Sequence, residues 1–184
     1  MAALKARLAS GNAHKLEELR AALPEWELEL LEAGRPYPPE DGSNYYENAR
    51  GKARFGREVG PADEWVLGED SGIEVAALGG RPGIASARWA ADGVAQLLHE
   101  LEGVGDRRAR YVCELVALGP DGEEFRGTGI LEGAIAVERH GSEGFGYDPI
   151  FVPAGEERTV AELGNDWKRT SSHRARAAAA LGPK

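Results

Sequence analysis

Residues 4–24, LKARLASGNAHKLEELRAALP, are the stretch that most directly predicts the class of fold. Residues 4–9 have the length and apolar character of a short strand, and Ser10-Gly11-Asn12 is typical of a turn. A helix is expected next, with an apolar stripe at Leu16, Leu19 and Leu23. The chain therefore begins with a strand, a loop and a helix.

The rest of the chain also mixes predicted strands and helices. A second helix is expected to begin near Asn44, whose spacing to Glu47 fits a capping box, and a third is expected over residues 92–101. Residues 109–118 and 123–137 flank the turn signal Pro120-Asp121-Gly122 and predict a hairpin.

The last part of the sequence predicts a further helix pair. Thr159 and Glu162 fit a capping box, and an alanine-rich final helix is expected to start at Ser171 or Ser172. No internal repeat or linker divides the chain. We therefore expect an α/β (α+β) fold in one domain, residues 1–184, with a mixed central β-sheet flanked by helices.

Composition limits the classes of function. The formal net charge of −9 argues against a general affinity for nucleic acid polymers, because phosphate backbones need a basic surface. No apolar stretch approaches the roughly 20 residues that span a bilayer, so no membrane is expected as a partner and a cytoplasmic location is expected. Cys113 is the only cysteine and alternates with apolar residues, which predicts a buried side chain.

Lysine is rare, and its positions are informative. Only five of the 22 basic residues are lysines, and Lys15, Lys52 and Lys168 lie in segments that resemble binding loops or helix starts. A compact ammonium suits phosphate, and the free N–H groups at the start of a helix favour an anion near Ser10–Lys15. The alternative is an ordinary helix cap followed by a solvated lysine. The segment lacks the pattern of a Walker-type loop.

Three acids form a candidate metal site. Trp65-Val66-Leu67 predicts a short strand that delivers Glu69 and Asp70 at its carboxyl end, and Glu40 lies in an upstream loop. Carboxylates in such an arrangement suit Mg²⁺, which commonly uses one or two of them together with substrate phosphates. The alternative is an Asx-type turn at Asp70 and a solvated Glu40.

Two later segments could recognise a base. Residues 144–149, Gly-Phe-Gly-Tyr-Asp-Pro, place two aromatic rings and a carboxylate in a glycine-rich loop, where a ring could stack on a purine or instead anchor the loop in the core. Ser172-His173-Arg174 follows Lys168 by four residues, so that donors converge near a helix start. A capped, solvated helix start is the alternative for this second segment.

Taken together, these segments resemble the inosine triphosphate pyrophosphatases, the non-canonical purine nucleotide pyrophosphatases of the Ham1-like family. The matching pieces are Ser10–Lys15, Glu40–Lys52, Asp70–Gly72 with Gly80–Arg88, Gly144–Phe151, and Lys168 with Ser172–Arg174. They occur in the family's order and cover nearly the whole chain.

The resemblance implies a Mg²⁺-dependent hydrolase that cleaves ITP, dITP and XTP to the monophosphate and pyrophosphate and so cleanses the nucleotide pool. It also implies a homodimer whose subunits have two lobes, with the active site in the cleft between them. Asp70 would be the general base, and Glu40 and Asp70 the metal ligands. The implied substrate-binding residues are Ser10, Gly11, Asn12, Ala13, His14, Lys15, Lys52, Ser71, Phe145, Gly146, Tyr147, Asp148, Lys168, His173 and Arg174.

Two positions depart from the family's pattern. Ser10 stands where threonine is frequent, and Glu69 stands where an aspartate is frequent, which leaves the role of Glu69 and the number of metal ions open. The Maf-like pyrophosphatases, which favour pyrimidine or modified nucleotides, are an alternative enzyme class. A nucleotide-binding sensor without catalysis is an alternative of another kind.

Overall fold

Six strands and five α-helices occur in residues 4–182, the part of the chain that the computed structural model describes. In chain order they are β1 (Leu4–Leu8), α1 (Ala13–Ala22), β2 (Trp26–Leu30), α2 (Tyr45–Val59), β3 (Trp65–Val75), α3 (Gly93–Glu100), β4 (Arg108–Leu118), β5 (Glu124–Ile135), β6 (Phe151–Pro153), α4 (Val160–Ser171) and α5 (His173–Ala180). Short 3₁₀-helices occupy Ala76–Leu78, Gly83–Ala85 and Asp148–Ile150. All the helices predicted from periodicity are present.

The strands form one mixed sheet, as predicted, and their order in it is β2-β1-β3-β4-β5-β6. β1 is parallel to both β2 and β3, with Leu8 opposite Leu30 on one side and Leu67 on the other. β5 and β6 are antiparallel. The predicted hairpin of β4 and β5 is confirmed, since the N–H of Gly119 donates to the carbonyl of Glu123 at the turn.

The chain divides into two compact units. Among the described residues, the first unit contains 4–70, 113–129 and 174–182, and the second contains 71–112 and 130–173. The first has a core of leucines from α1 and the parallel strands together with Cys113, which is fully buried as predicted. The second has its own core around Ile73, Leu97 and Phe151. Each unit therefore has its own apolar core.

Two local predictions were wrong. The strand expected to end before Glu69 continues to Val75, so both acids lie within β3 and are buried. Asn44 caps α2 by accepting from the N–H of Glu47, but the Glu47 carboxylate accepts from the N–H of Ser43 rather than from that of Asn44.

The capping box predicted at Thr159 is complete. Ser172 follows α4, and α5 begins at the next residue.

None of the helices between residues 4 and 182 combines the length and the apolar character that crossing a bilayer requires.

Candidate active site

The start of α1 is capped by the chain itself. Asn12 is the N-cap residue, and its Oδ1 accepts from the N–H groups of His14 and Lys15 at 3.0 and 3.3 Å. The Ser10 hydroxyl accepts from the N–H of Asn12 at 3.1 Å. The two helical N–H groups that the sequence suggested for an anion are thus engaged by Asn12. Ser10–Lys15 is an ordered turn, in which Gly11, Ala13 and His14 are exposed.

Lys15 is not a solvated lysine. Its Nζ lies 2.6 Å from Oε2 of Glu69, and its side chain is only 15% exposed. The other oxygen of Glu69 accepts from Nε of Arg174 at 3.1 Å, and Arg174 also pairs with Glu18. Burial alone would raise the pKa of Glu69, but the charges of Lys15 and Arg174 outweigh it and lower that pKa. Glu69 is therefore a fully buried carboxylate that is held ionised between two cations.

Asp70 points to the other side of β3, toward α2. Its Oδ1 accepts from Nζ of Lys52 at 3.0 Å, and its Oδ2 accepts from Nδ2 of Asn48 at 3.1 Å. Gly68 makes this approach possible, because a Cβ there would lie 2.0 Å from the carbonyl oxygen of Ala49. Helix α2 can therefore pack directly against β3, so that Asn48 and Lys52, one helical turn apart, both reach the Asp70 carboxylate.

Burial and neighbouring charges shift the pKa values of Asp70 and Lys52. Burial raises the pKa of Asp70 above its ordinary value, although Lys52 and Asn48 act in the opposite direction. Burial would lower the pKa of Lys52, but Asp70, Glu40 and Glu69 raise it overall. Asp70 is consequently a stronger base than a solvated aspartate, and Lys52 remains a cation.

The Lys52 ammonium occupies a position that suits a metal cation. It lies 2.5 Å from Oε1 of Glu40 and 3.0 Å from Oδ1 of Asp70, and it also donates to the carbonyl oxygen of Glu69. Two carboxylates that already share one cation are a donor set that fits Mg²⁺, which completes its shell with water and phosphate oxygens. Within residues 4–182 no cluster of three or more His, Cys, Asp or Glu side chains could hold a metal ion by itself.

In the second unit, Asp148 organises the predicted base-binding residues. Its carboxylate is buried and accepts from the Lys168 ammonium at 2.6 Å, from the N–H of Phe145 at 2.9 Å and from the Tyr111 hydroxyl at 3.1 Å. Gly144 leaves room for this arrangement, because its φ is 76° and a Cβ would lie 2.2 Å from Oδ2 of Asp148. The conformation of the loop 144–149 is therefore stabilised by the carboxylate of one of its own residues, Asp148.

The two aromatic residues of this loop have different roles. Phe145 is partly exposed, and the Lys168 ammonium lies 4.8 Å from the centre of its ring. Tyr147 is buried in the apolar core, and its hydroxyl donates to the carbonyl of Ser86 at 2.9 Å. Burial and the nearby Asp92 raise the pKa of Tyr147 to about 12. Phe145 thus keeps a partly exposed ring, whereas Tyr147 anchors the loop in the core, which is the alternative role for an aromatic residue in this loop.

The imidazole ring of His173 packs against the ring of Tyr111. The rings of His173 and Tyr111 stack at 4.5 Å with an interplanar angle of 8°. Since the Tyr111 hydroxyl also bonds to Asp148, one tyrosine contacts two of the predicted residues.

Two predicted residues remain to be placed. Ser71 lies in β3 next to Asp70 and is partly buried. Gly146 is exposed, with a φ of 61°.

The structure thus brings the predicted residues together in three groups. Glu40, Lys52 and Asp70 meet on one face of β3, Lys15 and Arg174 meet at Glu69 on the other face, and Phe145, Asp148, Lys168 and His173 are linked in the second unit. Sequence reasoning missed Tyr111 and the bond from Asn48 to Asp70. A buried tyrosine at strand spacing is indistinguishable from core, whereas the spacing of Asn48, one helical turn before Lys52, predicts that the two share a face of α2 but does not identify Asp70 as their partner.

Known proteins are similar to this chain over almost its whole length. A sequence model described as the Ham1 family matches residues 6–184. The dITP/XTP pyrophosphatase of Opitutus terrae is 44% identical, and that of Bdellovibrio bacteriovorus is 41% identical; the alignments cover 97% and 92% of this chain and the same shares of those proteins. The solved structure of the Staphylococcus aureus Ham1 protein superposes with a TM-score of 0.81 at 35% identity, and the match covers 94% of this chain and 93% of that one.

Proposed function

The chain belongs to the Ham1 family, and on that premise we propose that it is a nucleoside triphosphate pyrophosphatase for the non-canonical purine nucleotides ITP, dITP and XTP. It releases the monophosphate and pyrophosphate and so removes deaminated purines from the nucleotide pool. The relatives named dITP/XTP pyrophosphatases support this substrate class. The observation that carries the proposal is the Lys52 ammonium, which lies between the carboxylates of Glu40 and Asp70, while the Lys15 ammonium pairs with Glu69, the residue next to Asp70 in β3.

Asp70 is proposed as the general base. A water oxygen attacks the α-phosphorus, its proton passes to the Asp70 carboxylate, the bond from that phosphorus to the bridging oxygen breaks, and pyrophosphate leaves. The raised pKa of Asp70 supports this role, because a stronger base takes the proton more readily. The side-chain amide of Asn48 donates to Oδ2 of Asp70 and so fixes the orientation of the carboxylate.

Lys15 and Lys52 are proposed to bind the phosphates, together with the turn Ser10–Lys15. Both ammoniums are ordered by carboxylates, so they lose little further freedom when an anion binds. Glu40 and Asp70 would hold Mg²⁺, which supplies charge stabilisation for the leaving pyrophosphate when it is bound. Lys52 contacts both acids, so it would offset part of their negative charge when the cation is absent.

The base is proposed to be read by residues of the second unit together with Arg174. Phe145 presents a partly exposed ring for stacking, and Lys168, with Asp148, lies beside that ring. His173 and Arg174 supply donors for a 6-keto oxygen. A donor aimed at that oxygen would face the amino group of adenine instead, and an unpaired buried donor makes rejection strong.

The protein is further proposed to act as a homodimer in the cytoplasm, as the family resemblance implies. Light scattering during size-exclusion chromatography tests the first statement, since a monomer has the mass of 19.7 kDa. Fractionation of the cells that express the protein tests the second statement.

The function is tested by a nucleotide panel. Release of pyrophosphate and monophosphate from ITP, dITP, XTP, ATP, GTP and dTTP is measured with Mg²⁺ and with chelator. Metal-dependent release from ITP, dITP and XTP, with ATP nearly inert, is expected. Inert ITP beside an active pyrimidine nucleotide would move the protein to the Maf-like class, and tight ITP binding without release would make it a sensor.

A further inference from the structure

Glu69 and Asp70 are adjacent in β3, but their side chains serve opposite faces of the strand. Successive side chains of a strand alternate between its two faces. Asp70 accordingly meets Asn48 and Lys52 of α2, whereas Glu69 meets Lys15 of α1 and Arg174 of α5. The side chains of the two acids therefore have no partner in common among these contacts, although Lys52 bonds to the backbone carbonyl of Glu69.

Each oxygen of the Glu69 carboxylate faces a cation. Oε2 lies 2.6 Å from the Lys15 ammonium, and Oε1 accepts from Nε of Arg174 at 3.1 Å and from the Cys113 thiol at 3.6 Å. The Glu69 side chain is fully buried, and the side chains of Lys15 and Arg174 are 15% and 5% exposed. Two cations this close to one carboxylate would repel each other strongly if it were neutral.

We propose that Glu69 is a positioning residue and not a ligand of the metal ion. Its carboxylate holds the Lys15 ammonium where the phosphates bind and the Arg174 guanidinium where the base is read, so one buried charge aligns two parts of the substrate site. This inference rests on the proposed function for the roles of Lys15 and Arg174. It assigns Glu69 to a separate task from its neighbour Asp70.

Two physical effects support this role for Glu69. Its carboxylate orders the Lys15 side chain before the substrate binds, and its negative charge offsets the repulsion between Lys15 and Arg174. A lysine side chain loses up to about 2 kcal/mol of rotamer entropy when it is held in one conformation. A partner that orders Lys15 before binding removes that cost from the binding step. Lys15 also lies in the first turn of α1, where the helix dipole opposes a cation, and the Glu69 charge compensates for it.

The test compares Glu69→Gln with Glu114→Gln. Glu114 is a matched control, because it is also a buried strand carboxylate; it lies in β4 and pairs with Arg126 and Thr128 of β5. The measurement is calorimetric affinity for the α,β-methylene analogue of dITP, first with chelator and then with Mg²⁺. With chelator, Glu69→Gln is expected to weaken binding by about tenfold, equivalent to about 1.4 kcal/mol, and Glu114→Gln to leave it unchanged.

Two further variants make the test specific. Lys15→Gln combined with Glu69→Gln is expected to lose less affinity than the product of the two single losses, because Glu69 acts through Lys15. Glu69→Asp keeps the negative charge on a shorter side chain and is expected to retain most of the wild-type affinity for the analogue. It also replaces Glu69→Gln in the comparison if the glutamine variant does not fold. Both variants should leave the Mg²⁺ concentration for half-maximal analogue binding unchanged.

The opposite results would overturn the proposal. They are unchanged metal-free affinity in Glu69→Gln and Glu69→Asp, a loss that appears only as a higher Mg²⁺ requirement, or strictly multiplicative losses in the double variant. Turnover of dITP by the wild-type protein is measured in parallel. An inactive wild type would refute the proposed function, whereas the metal-free binding comparison would still decide the role of Glu69.

Discussion

Replacement of Lys168 by methionine should destabilise the second unit strongly. The side chains of Lys168 and Asp148 are 2% and 4% exposed, and their charged atoms are 2.6 Å apart. Removing one partner of a buried ion pair typically costs about 3–5 kcal/mol, because the other charge is left buried. Asp148 keeps its bonds from Tyr111 and Phe145 in the variant, so we expect the lower limit, about 3 kcal/mol.

The assay is urea denaturation followed by circular dichroism, together with thermal unfolding. A loss of about 3 kcal/mol corresponds to a decrease in Tm of about 6–12 °C for a chain of this size. The neighbouring substitution Arg169→Met is the control, since the Arg169 side chain is 61% exposed, and it should change stability by less than about 0.5 kcal/mol. Equal stability of the two variants, or a loss below about 1 kcal/mol in Lys168→Met, would refute the argument that this pair is buried and coupled.

Three further outcomes are expected. Asp70→Asn should reduce kcat by at least about 100-fold while the far-UV spectrum stays native, since it removes the proposed base; a near wild-type rate would exclude Asp70 from that role. Tyr111→Phe keeps the stack on His173 but removes the donor to Asp148, so it should destabilise the protein by about 1 kcal/mol in urea titrations, and no loss would contradict the bond. Phe145→Leu should raise the KM for dITP with little change in stability, because the ring is partly exposed; an unchanged KM would argue against stacking on the base.

Most of the secondary structure could be predicted because it depends on local signals. The start of α2 after Asn44, the helix α3 after Asp92 and the capping box at Thr159 lie where the sequence indicates them. The end of β3 could not be predicted in this way. Gly68 and Gly72 lower strand propensity, but Gly68 is needed for the close approach of α2, and the buried acids beside it are neutralised by cations from distant segments.

The site shows the same division between local and tertiary causes. The sequence by itself determined the class of fold, the family resemblance and the set of charged residues at which phosphate and metal are proposed to bind, because helix periodicity, caps and ordered motifs are properties of short segments. Only the tertiary structure decided that Glu69 faces Lys15 and Arg174 while Asp70 faces Lys52, and that Tyr147 anchors its loop in the core. Burial and the pairing of charges depend on which residues, far apart in the chain, are brought together, so no short segment contains that information.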